Sequence, residues 1–197
     1  MRPTGPGQAA HLLLDVVDVL NELCIPYALA GALAASYYGI PRSTSDADSV
    51  VWLKDTGKTE RDLTNRLLAG GYRAQLRRGD IDDPILGSIQ VEDQHENQVD
   101  LLLGVRGMDP AAAGRCVSTT LLDSSIRIIA AEDLIAMKIF AGGFQDLEDA
   151  RGILQVSGDV LNVNLLRKVA RRYGADVITK LDVILNEFPP TLPLAGK

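Results

Sequence analysis

Apolar positions recur at helical spacing near the start of the chain and again through its last third. Residues 12–23 carry apolar side chains every three or four positions, which predicts an amphipathic helix that Pro26 terminates. After residue 130 the same periodicity predicts four helices, which would form a small bundle. These helices are expected at 132–141, 147–156, 165–173 and 177–188.

The middle of the chain predicts strands, because its short apolar runs are bounded by glycine or polar stretches. A strand at 27–30 leads through a tight turn at Gly31 into a short helix that Gly39 closes. A second strand is expected at 46–53. The other predicted elements are a helix at 63–68 ending at 70–71, strands at 72–76 and 126–129, a loop at 77–84, a hairpin of 85–92 with 98–103, and a short helix at 109–114.

Together these elements predict the α+β class: a mixed β-sheet with flanking helices, followed by a C-terminal helical bundle. We expect a core unit at residues 1–130 and a helical region at 131–188. The last residues, 189–197, begin with two prolines and are predicted to form a flexible tail.

Composition narrows the classes of protein that fit this pattern. The chain has 197 residues, of which 46% are hydrophobic and 23% charged, and this balance excludes disorder for most of its length. No apolar run is long enough to cross a membrane, so no membrane association is expected. The first ten residues lack the apolar centre of a secretory signal, and the expected compartment is the cytoplasm.

The net charge and the cysteine content restrict the kinds of ligand that the protein is expected to bind. The 20 basic and 26 acidic residues give a net charge of −6, which argues against a broad electrostatic grip on nucleic acid. The densest basic cluster comprises Arg167, Lys168, Arg171 and Arg172. Such a cluster is most often the solvated face of a helix. Cys24 and Cys116 are interpreted as buried thiols, and with two histidines and no Cys-x-x-Cys a structural zinc site is not expected.

Three acidic residues are candidates for metal binding. Asp46 and Asp48 sit two apart at a strand start, so their side chains share a face within roughly 7 Å. Asp100 interrupts an apolar strand, where a buried acid needs a partner. If the two strands are neighbours, three carboxylates converge and can hold two Mg²⁺ ions about 3.5–4 Å apart. The alternatives are a solvated strand start, a local turn role for Asp46, and an ion pair of Asp100 with Arg127.

Residues around this acidic pair are candidates for phosphate binding. A glycine turn at Gly31 exposes backbone N–H groups that suit a phosphate. Arg42 and Thr44 precede the acidic pair and could contact phosphate as a guanidinium and a hydroxyl donor.

The ordered combination of these features resembles the DNA polymerase β-type nucleotidyltransferase superfamily, most closely its AbiEii and MenT-type toxin members and their uncharacterised relatives. The resemblance covers about residues 10 to 156 and rests on three segments. These are Gly-Ala-Leu-Ala-Ala-Ser-Tyr-Tyr-Gly-Ile-Pro-Arg-Ser-Thr-Ser-Asp-Ala-Asp at 31–48, the strand acid Asp100, and Ala-Glu-Asp-Leu-Ile-Ala-Met-Lys at 131–138 with Asp-Leu-Glu-Asp at 146–149. It implies a nucleotidyltransferase-type sheet at 1–130, and magnesium-dependent transfer of a nucleoside monophosphate from a triphosphate to a hydroxyl.

The resemblance also implies a role for individual residues. It assigns catalytic roles to Asp46, Asp48, Asp100 and Lys138, the first three as ligands of two Mg²⁺ ions. It assigns nucleotide binding to Gly31, Ala32, Arg42, Thr44, Lys138 and Asp146. Ala32 stands where the family usually has a second glycine or a serine, and Gly143, Phe144 and Gln145 stand where it often has a basic residue. The alternatives are a surface role for Lys138 and a helix-start role for Asp146.

Three functions are compatible with this resemblance. Transfer to RNA, in particular tRNA, is ranked first because the likeness is greatest to the toxin relatives. Transfer to a small molecule, as in aminoglycoside nucleotidyltransferases, is the second, and the acidic charge favours it mildly. The third is a catalytically weak nucleotide-binding module, with an antitoxin protein as its partner.

Overall fold

Seven strands and eight helices make up the computed structural model, which describes residues 1–188. The strands are β1 (Tyr27–Leu29), β2 (Asp46–Val51), β3 (Arg73–Arg78), β4 (Gly87–Glu92), β5 (Gln98–Leu102), β6 (Val117–Leu121) and β7 (Ser124–Ile128). The helices are α1 (Ala9–Glu22), α2 (Gly31–Tyr37), α3 (Glu60–Ala69), α4 (Ala112–Arg115), α5 (Ala131–Ala141), α6 (Phe144–Ser157), α7 (Val163–Arg171) and α8 (Ala175–Glu187).

The strands form one mixed sheet in the order β3-β4-β5-β2-β1-β7-β6. β2 lies parallel to β5 and antiparallel to β1. β4 lies antiparallel to both β3 and β5. On the other side, β1 is parallel to β7, which pairs antiparallel with β6. The sheet therefore places β2 and β5 side by side at its centre.

One face of the central strands is buried. Ile89, Val91, Val99 and Leu101 alternate along β4 and β5 and have no exposed surface. Helix α1 contacts β2 and β5, and α3 contacts β3, so these two helices cover the buried face. Because side chains alternate along a strand, the residues between these apolar positions lie on the opposite face of the sheet.

The C-terminal helices pack around α5, which contacts α6, α7, α8 and also α2. Ile135 and Ile139 on α5 are fully buried in this packing. The helix ends at Gly142, whose left-handed φ of 69° lets the chain reverse. Helix α6 begins two residues later and returns alongside α5. This reversal brings the start of α6 back beside Lys138.

The predicted fold class is confirmed, with a mixed sheet, flanking helices and C-terminal helices, and so is the predicted hairpin of β4 and β5. Strand β6 was not predicted, because its Val-Ser-Thr-Thr-Leu sequence lacks the apolar alternation of a half-buried strand. Strand β3 extends through Arg78, so the loop predicted from residue 77 was placed too early. Helix α6 begins at Phe144 rather than 147, since its polar first turn carries no apolar periodicity. The short helix predicted at 109–114 is α4, at 112–115.

Two further predictions differ from the structure or lie outside it. Cys24 is exposed and Cys116 is half-buried, so the interpretation of both as buried thiols is wrong. Cys24 lies in the reversal after α1 and has a φ of 55°. The predicted tail at 189–197 lies outside the described residues, and the division at residue 130 stays a prediction. Within residues 1–188, the helices are too short or too polar to span a bilayer.

Candidate active site

The register of β2 and β5 brings the predicted acidic residues together. Asp48 lies directly opposite Asp100 on the parallel neighbouring strand, and Asp46 lies opposite Gln98. All three carboxylates are half-buried and share the face of the sheet that α1 and α3 leave open. The sequence analysis expected the three carboxylates to converge only if their two strands were neighbours, and the structure meets that condition.

The carboxylates sit close enough to affect one another. Burial, supplemented by the negative charges of Asp46 and Asp100, raises the pKa of Asp48 to about 6. Burial also raises the pKa of Asp100, although a hydrogen bond from Gln98 opposes this shift. Crowded carboxylates of this kind favour a bound cation or a proton.

Neighbouring side chains hold two of the carboxylates in place. The Thr44 hydroxyl donates to Asp46 Oδ1, and Gln98 Nε2 donates to Asp100 Oδ2 at 3.0 Å. As they are placed in residues 1–188, no three His, Cys, Asp or Glu side chains form a ready-made metal cage. Metal binding by Asp46, Asp48 and Asp100 stays a prediction. The alternative partner for Asp100 is wrong, because Arg127 is on β7 and donates to the carbonyl of Ala113.

Gly31 lies against these carboxylates at the start of α2. Its φ is 60°, and a Cβ added there would lie 1.9 Å from Asp48 Oδ2. The next residue, Ala32, is buried, so its side chain packs inward. The turn therefore requires glycine for two reasons, backbone conformation and space beside Asp48.

A second charged group faces the carboxylates from the C-terminal helices. Lys138 is only 8% exposed, so the surface alternative for it is wrong. Its Nζ lies 2.7 Å from Asp146 Oδ1 and 2.9 Å from Asp149 Oδ2. Burial alone would lower the pKa of Lys138, but the hydrogen bonds that its ammonium donates to Asp146 and Asp149 outweigh this effect and raise the pKa.

Asp149 is the residue of this group that the sequence analysis missed as a site residue. Its carboxylate has no exposed surface, and its Oδ2 also accepts a 2.9 Å ion pair from Arg42 Nη1. The sequence analysis included Asp149 in the segment 146–149 that carries the resemblance, but named only Asp146 as a candidate. Its position three residues after Asp146 on the same helix was the available signal, since both then reach one lysine on α5.

A cleft of about 170 Å³ joins these two charged groups. Gly31, Asp48, Lys138 and Asp146 line its charged part. The remainder is apolar and is lined by Ala30, Pro84, Ile85, Leu102, Val105, Leu134, Met137, Phe140 and Ala141. The cleft thus combines a charged region with an apolar slot.

The predicted basic cluster on α7 is partly used within the protein. Arg167 forms an ion pair with Asp182, and Arg172 donates to the carbonyl of Gly107. Lys168 and Arg171 are the members that remain for an outside ligand.

Comparison with known proteins adds evidence on the fold. The sequence matches no protein-family model and no curated protein. It is similar to the structure of an antigenic nucleotidyltransferase-like protein from Paracoccidioides brasiliensis, with 16% identity and a TM-score of 0.56 over 94% of this chain and 91% of that one. It is also similar to ANT(2″)-Ia in complex with adenylyl-2″-tobramycin, with 12% identity and a TM-score of 0.57 over 84% of this chain and 97% of that one.

A solution structure of the antibiotic-resistance factor ANT(2″)-Ia gives a TM-score of 0.51 at 14% identity, over 92% of this chain and 91% of that one. Identities this low bear on the fold alone. The relationship to AbiEii and MenT-type toxins stays a prediction. With its seven-stranded mixed sheet and its C-terminal helices, the chain has the fold of nucleotidyltransferase-like proteins.

Proposed function

We propose that this chain transfers a nucleoside monophosphate from a nucleoside triphosphate to a hydroxyl acceptor, with Mg²⁺ as the required ion. The observation that carries the proposal is the pairing of Asp48 with Asp100 on adjacent parallel strands, beside Gly31 and across a cleft from Lys138. Phosphoryl-transfer sites combine carboxylates that hold the metal with cations that hold the phosphates. Both kinds of group line this cleft.

The proposed metal ligands are Asp46, Asp48 and Asp100. Their oxygen donors suit a hard dication. Burial, and after it the charges of Asp46 and Asp100, raise the pKa of Asp48, and a bound cation would stabilise its charged form. When bound, magnesium would neutralise charge on the triphosphate and lower the pKa of the attacking hydroxyl.

The proposed nucleotide site is the cleft. Lys138 would contact the triphosphate, with Arg42 as a second cation held through Asp149. Thr44 would act by orienting Asp46. The apolar slot, with Met137 and Phe140, offers the nucleobase a surface removed from water. Asp146 would position Lys138.

In the proposed reaction, the acceptor oxygen forms a bond to the α-phosphorus of the triphosphate. The bond from that phosphorus to the oxygen bridging to the β-phosphate breaks, and pyrophosphate leaves. The hydroxyl proton passes to a carboxylate. We assign this role of general base to Asp100, because of the three site acids it is the one whose strand, β5, pairs with β4.

RNA, in particular tRNA, is the proposed acceptor, by resemblance to the toxin relatives. A small-molecule acceptor is the second candidate. ANT(2″)-Ia, which has a similar fold, was solved with an adenylylated tobramycin, and the net charge of −6 here does not promote RNA binding. A weak nucleotide-binding module with an antitoxin partner is the third candidate, and it predicts binding without transfer.

The test is transfer of label from each α-labelled nucleoside triphosphate, with Mg²⁺, to total RNA and to an aminoglycoside panel. Asp46→Asn and Asp48→Asn should each lower transfer by more than a hundredfold while the protein stays folded. Chelation of magnesium should do the same to the wild type. Normal transfer by both variants would contradict the proposed site, and binding of triphosphate without transfer to any acceptor would favour the third candidate.

A further inference from the structure

The sheet face that carries Asp100 continues beyond the cleft as a polar surface. The helices that pack on β3, β4 and β5 cover the opposite face, where the apolar side chains lie. On the open face of these three strands the side chains are half-buried or exposed, and all are polar except Leu102, which lines the apolar slot of the cleft. The residues that matter here, named below as the open sheet face, are Gln75, Arg77, Ser88, Gln90, Gln98 and Asp100.

The strand register places these residues in one line with the proposed catalytic carboxylates. Asp48, Asp100, Gln90 and Gln75 occupy directly opposed positions on four consecutive strands. At about 4.8 Å between strands, the row from Asp100 to Gln75 spans roughly 10 Å. A hydroxylated ring lying on this row would present one hydroxyl to Asp100.

Arg77 supplies a cation beside this row. It lies two residues after Gln75 on β3, opposite Ser88, and its Nη2 donates to Gln90 Oε1 at 3.2 Å. The hydrogen bond directs the guanidinium over β4, toward Asp100.

The charges on this face discriminate between classes of acceptor. Arg73 and Glu92 lie opposite each other at one end of the face and form an ion pair, so they cancel. Arg77 is then the uncompensated charge on β3 and β4 of this face, within the described residues. On β3, β4 and β5 of this face the acids are Asp100 and Glu92, and Glu92 is paired with Arg73, so these three strands offer a polycationic acceptor no free carboxylate beyond a proposed metal ligand. An acceptor with hydroxyls and one anionic group would match this face, because its hydroxyls can bind the glutamine side-chain amides and its anionic group can pair with the Arg77 guanidinium.

We propose, on the basis of the function proposed above, that the open sheet face is the acceptor site and binds a sugar phosphate unit. The reacting hydroxyl lies at Asp100, the ring lies over Gln90 and Ser88, and the phosphate pairs with Arg77. Two sources can present this unit: the terminal nucleotide of an RNA, and a free sugar phosphate. A polycationic aminoglycoside should be a poor acceptor at this face.

A pair of neighbouring arginines provides the matched variants. Arg77→Gln removes the proposed phosphate ligand, whereas Arg78→Gln removes the same charge from the opposite face, where Arg78 pairs with Glu60. Arg77→Gln should raise the KM for the phosphorylated acceptor about tenfold, the effect of losing one charge-assisted contact. Arg78→Gln should leave it unchanged. Because neither residue lines the nucleotide cleft, both variants should keep the thermal shift produced by Mg²⁺ and triphosphate.

The acceptors tested should separate the two sources. With tRNA, ribose 5-phosphate, ribose and tobramycin as probes, transfer should occur to one or both of the phosphorylated acceptors. Removing the phosphate from the reactive acceptor should lower kcat/KM at least tenfold. Transfer to tRNA alone identifies a polymer terminus, and transfer to ribose 5-phosphate identifies a free sugar phosphate.

Three outcomes would overturn the inference. They are transfer to tobramycin but to neither phosphorylated acceptor, equal effects of Arg77→Gln and Arg78→Gln, and binding of triphosphate by wild type with no calorimetric binding of either phosphorylated acceptor. In each of them the proposed function survives, because the triphosphate is still bound or transferred. If the wild type binds no triphosphate, the proposed function fails and the inference fails with it.

Discussion

The Lys138 ammonium lies 2.9 Å from Oδ2 of Asp149, a carboxylate that has no exposed surface. The same oxygen accepts the ion pair from Arg42. One buried acid therefore joins helix α5, helix α6 and the segment that leads into β2. This geometry makes Asp149 a positioning residue for two cations that we assign to the triphosphate.

The first prediction compares the two carboxylates that hold Lys138. Asp149→Asn should lower the free energy of unfolding by about 3 kcal/mol or more, because the buried Lys138 ammonium loses one of its two carboxylate partners and Arg42 loses its ion pair. Asp146→Asn should cost less than about 1 kcal/mol, since that side chain is 30% exposed and water can replace it. Urea unfolding at pH 7 measures both. Equal losses would contradict the central role of Asp149.

The second prediction concerns the space beside Asp48. Gly31→Ala introduces a Cβ at 1.9 Å from the Asp48 carboxylate, in addition to strain from a φ of 60°. Gly57→Ala is the control, because Gly57 has a φ of 69° but no atom within 4 Å of an added Cβ. Gly57→Ala should cost about 1 kcal/mol of stability and no activity. Gly31→Ala should cost more stability and remove most transfer, and a wild-type rate would show that the turn does not shape the site.

The sequence predicted the central part of this site because its signals are local. A glycine before a short helix and two acids at alternate strand positions fix Gly31, Asp46 and Asp48 without knowledge of the rest of the fold. Asp100 was predicted as an acid in an apolar strand, but its place opposite Asp48 depended on strand order, which local pattern does not determine. The strand β6 escaped prediction because an edge strand need not alternate.

The contacts of Asp149 and Arg77 could not be predicted for a different reason. Each depends on residues distant in sequence or on the exact register of neighbouring strands. Arg42 and Asp149 are 107 positions apart, and only the reversal at Gly142 brings α6 to Lys138. Because Arg77 was assigned to a loop, its position on the sheet face next to Gln90 could not be predicted.

The third prediction concerns the raised pKa of Asp48. The pKa of Asp48 is about 6 in the folded protein against an ordinary value of 3.8, so its charged form opposes folding at pH values above 6. Asp48→Asn should therefore raise the melting temperature of the metal-free protein at pH 7.5. The gain should shrink as the pH falls from 6 to 4, where the wild-type carboxyl binds its proton. Asp82→Asn, in an exposed loop, should change the melting temperature little at either pH.

The fourth prediction is that bound ligand reverses this order of stability, so that the wild type becomes more stable than Asp48→Asn. Mg²⁺ with a nucleoside triphosphate should stabilise the wild type by about 2.7 kcal/mol at a hundredfold excess over Kd, since only the folded state binds. Magnesium alone should do less, because substrate phosphates supply part of its coordination. Asp48→Asn should lose most of this stabilisation. If thermal shift and calorimetry both detect no triphosphate binding to the wild type, the proposed function is wrong.

The last prediction separates an RNA acceptor from a free sugar phosphate by salt. An RNA would extend past the open sheet face, and its further phosphates would need basic residues such as Lys168 and Arg171 on α7. Each such contact releases counterions, so transfer to RNA at limiting concentration should fall steeply between 50 and 200 mM salt. The double variant Lys168→Glu, Arg171→Glu should raise the KM for RNA with little change in kcat, because uniform binding is lost.

The same variant should leave the KM for a free sugar phosphate unchanged, since the single phosphate of this acceptor is assigned to Arg77. Arg61→Glu on α3 is the charge control, because α3 covers the opposite face of the sheet. A steep salt dependence that Lys168→Glu, Arg171→Glu does not reduce would place the RNA elsewhere on the surface. A shallow dependence with RNA as the acceptor would limit recognition to the terminal nucleotide, because screening then acts only on the contacts at Arg77 and in the cleft.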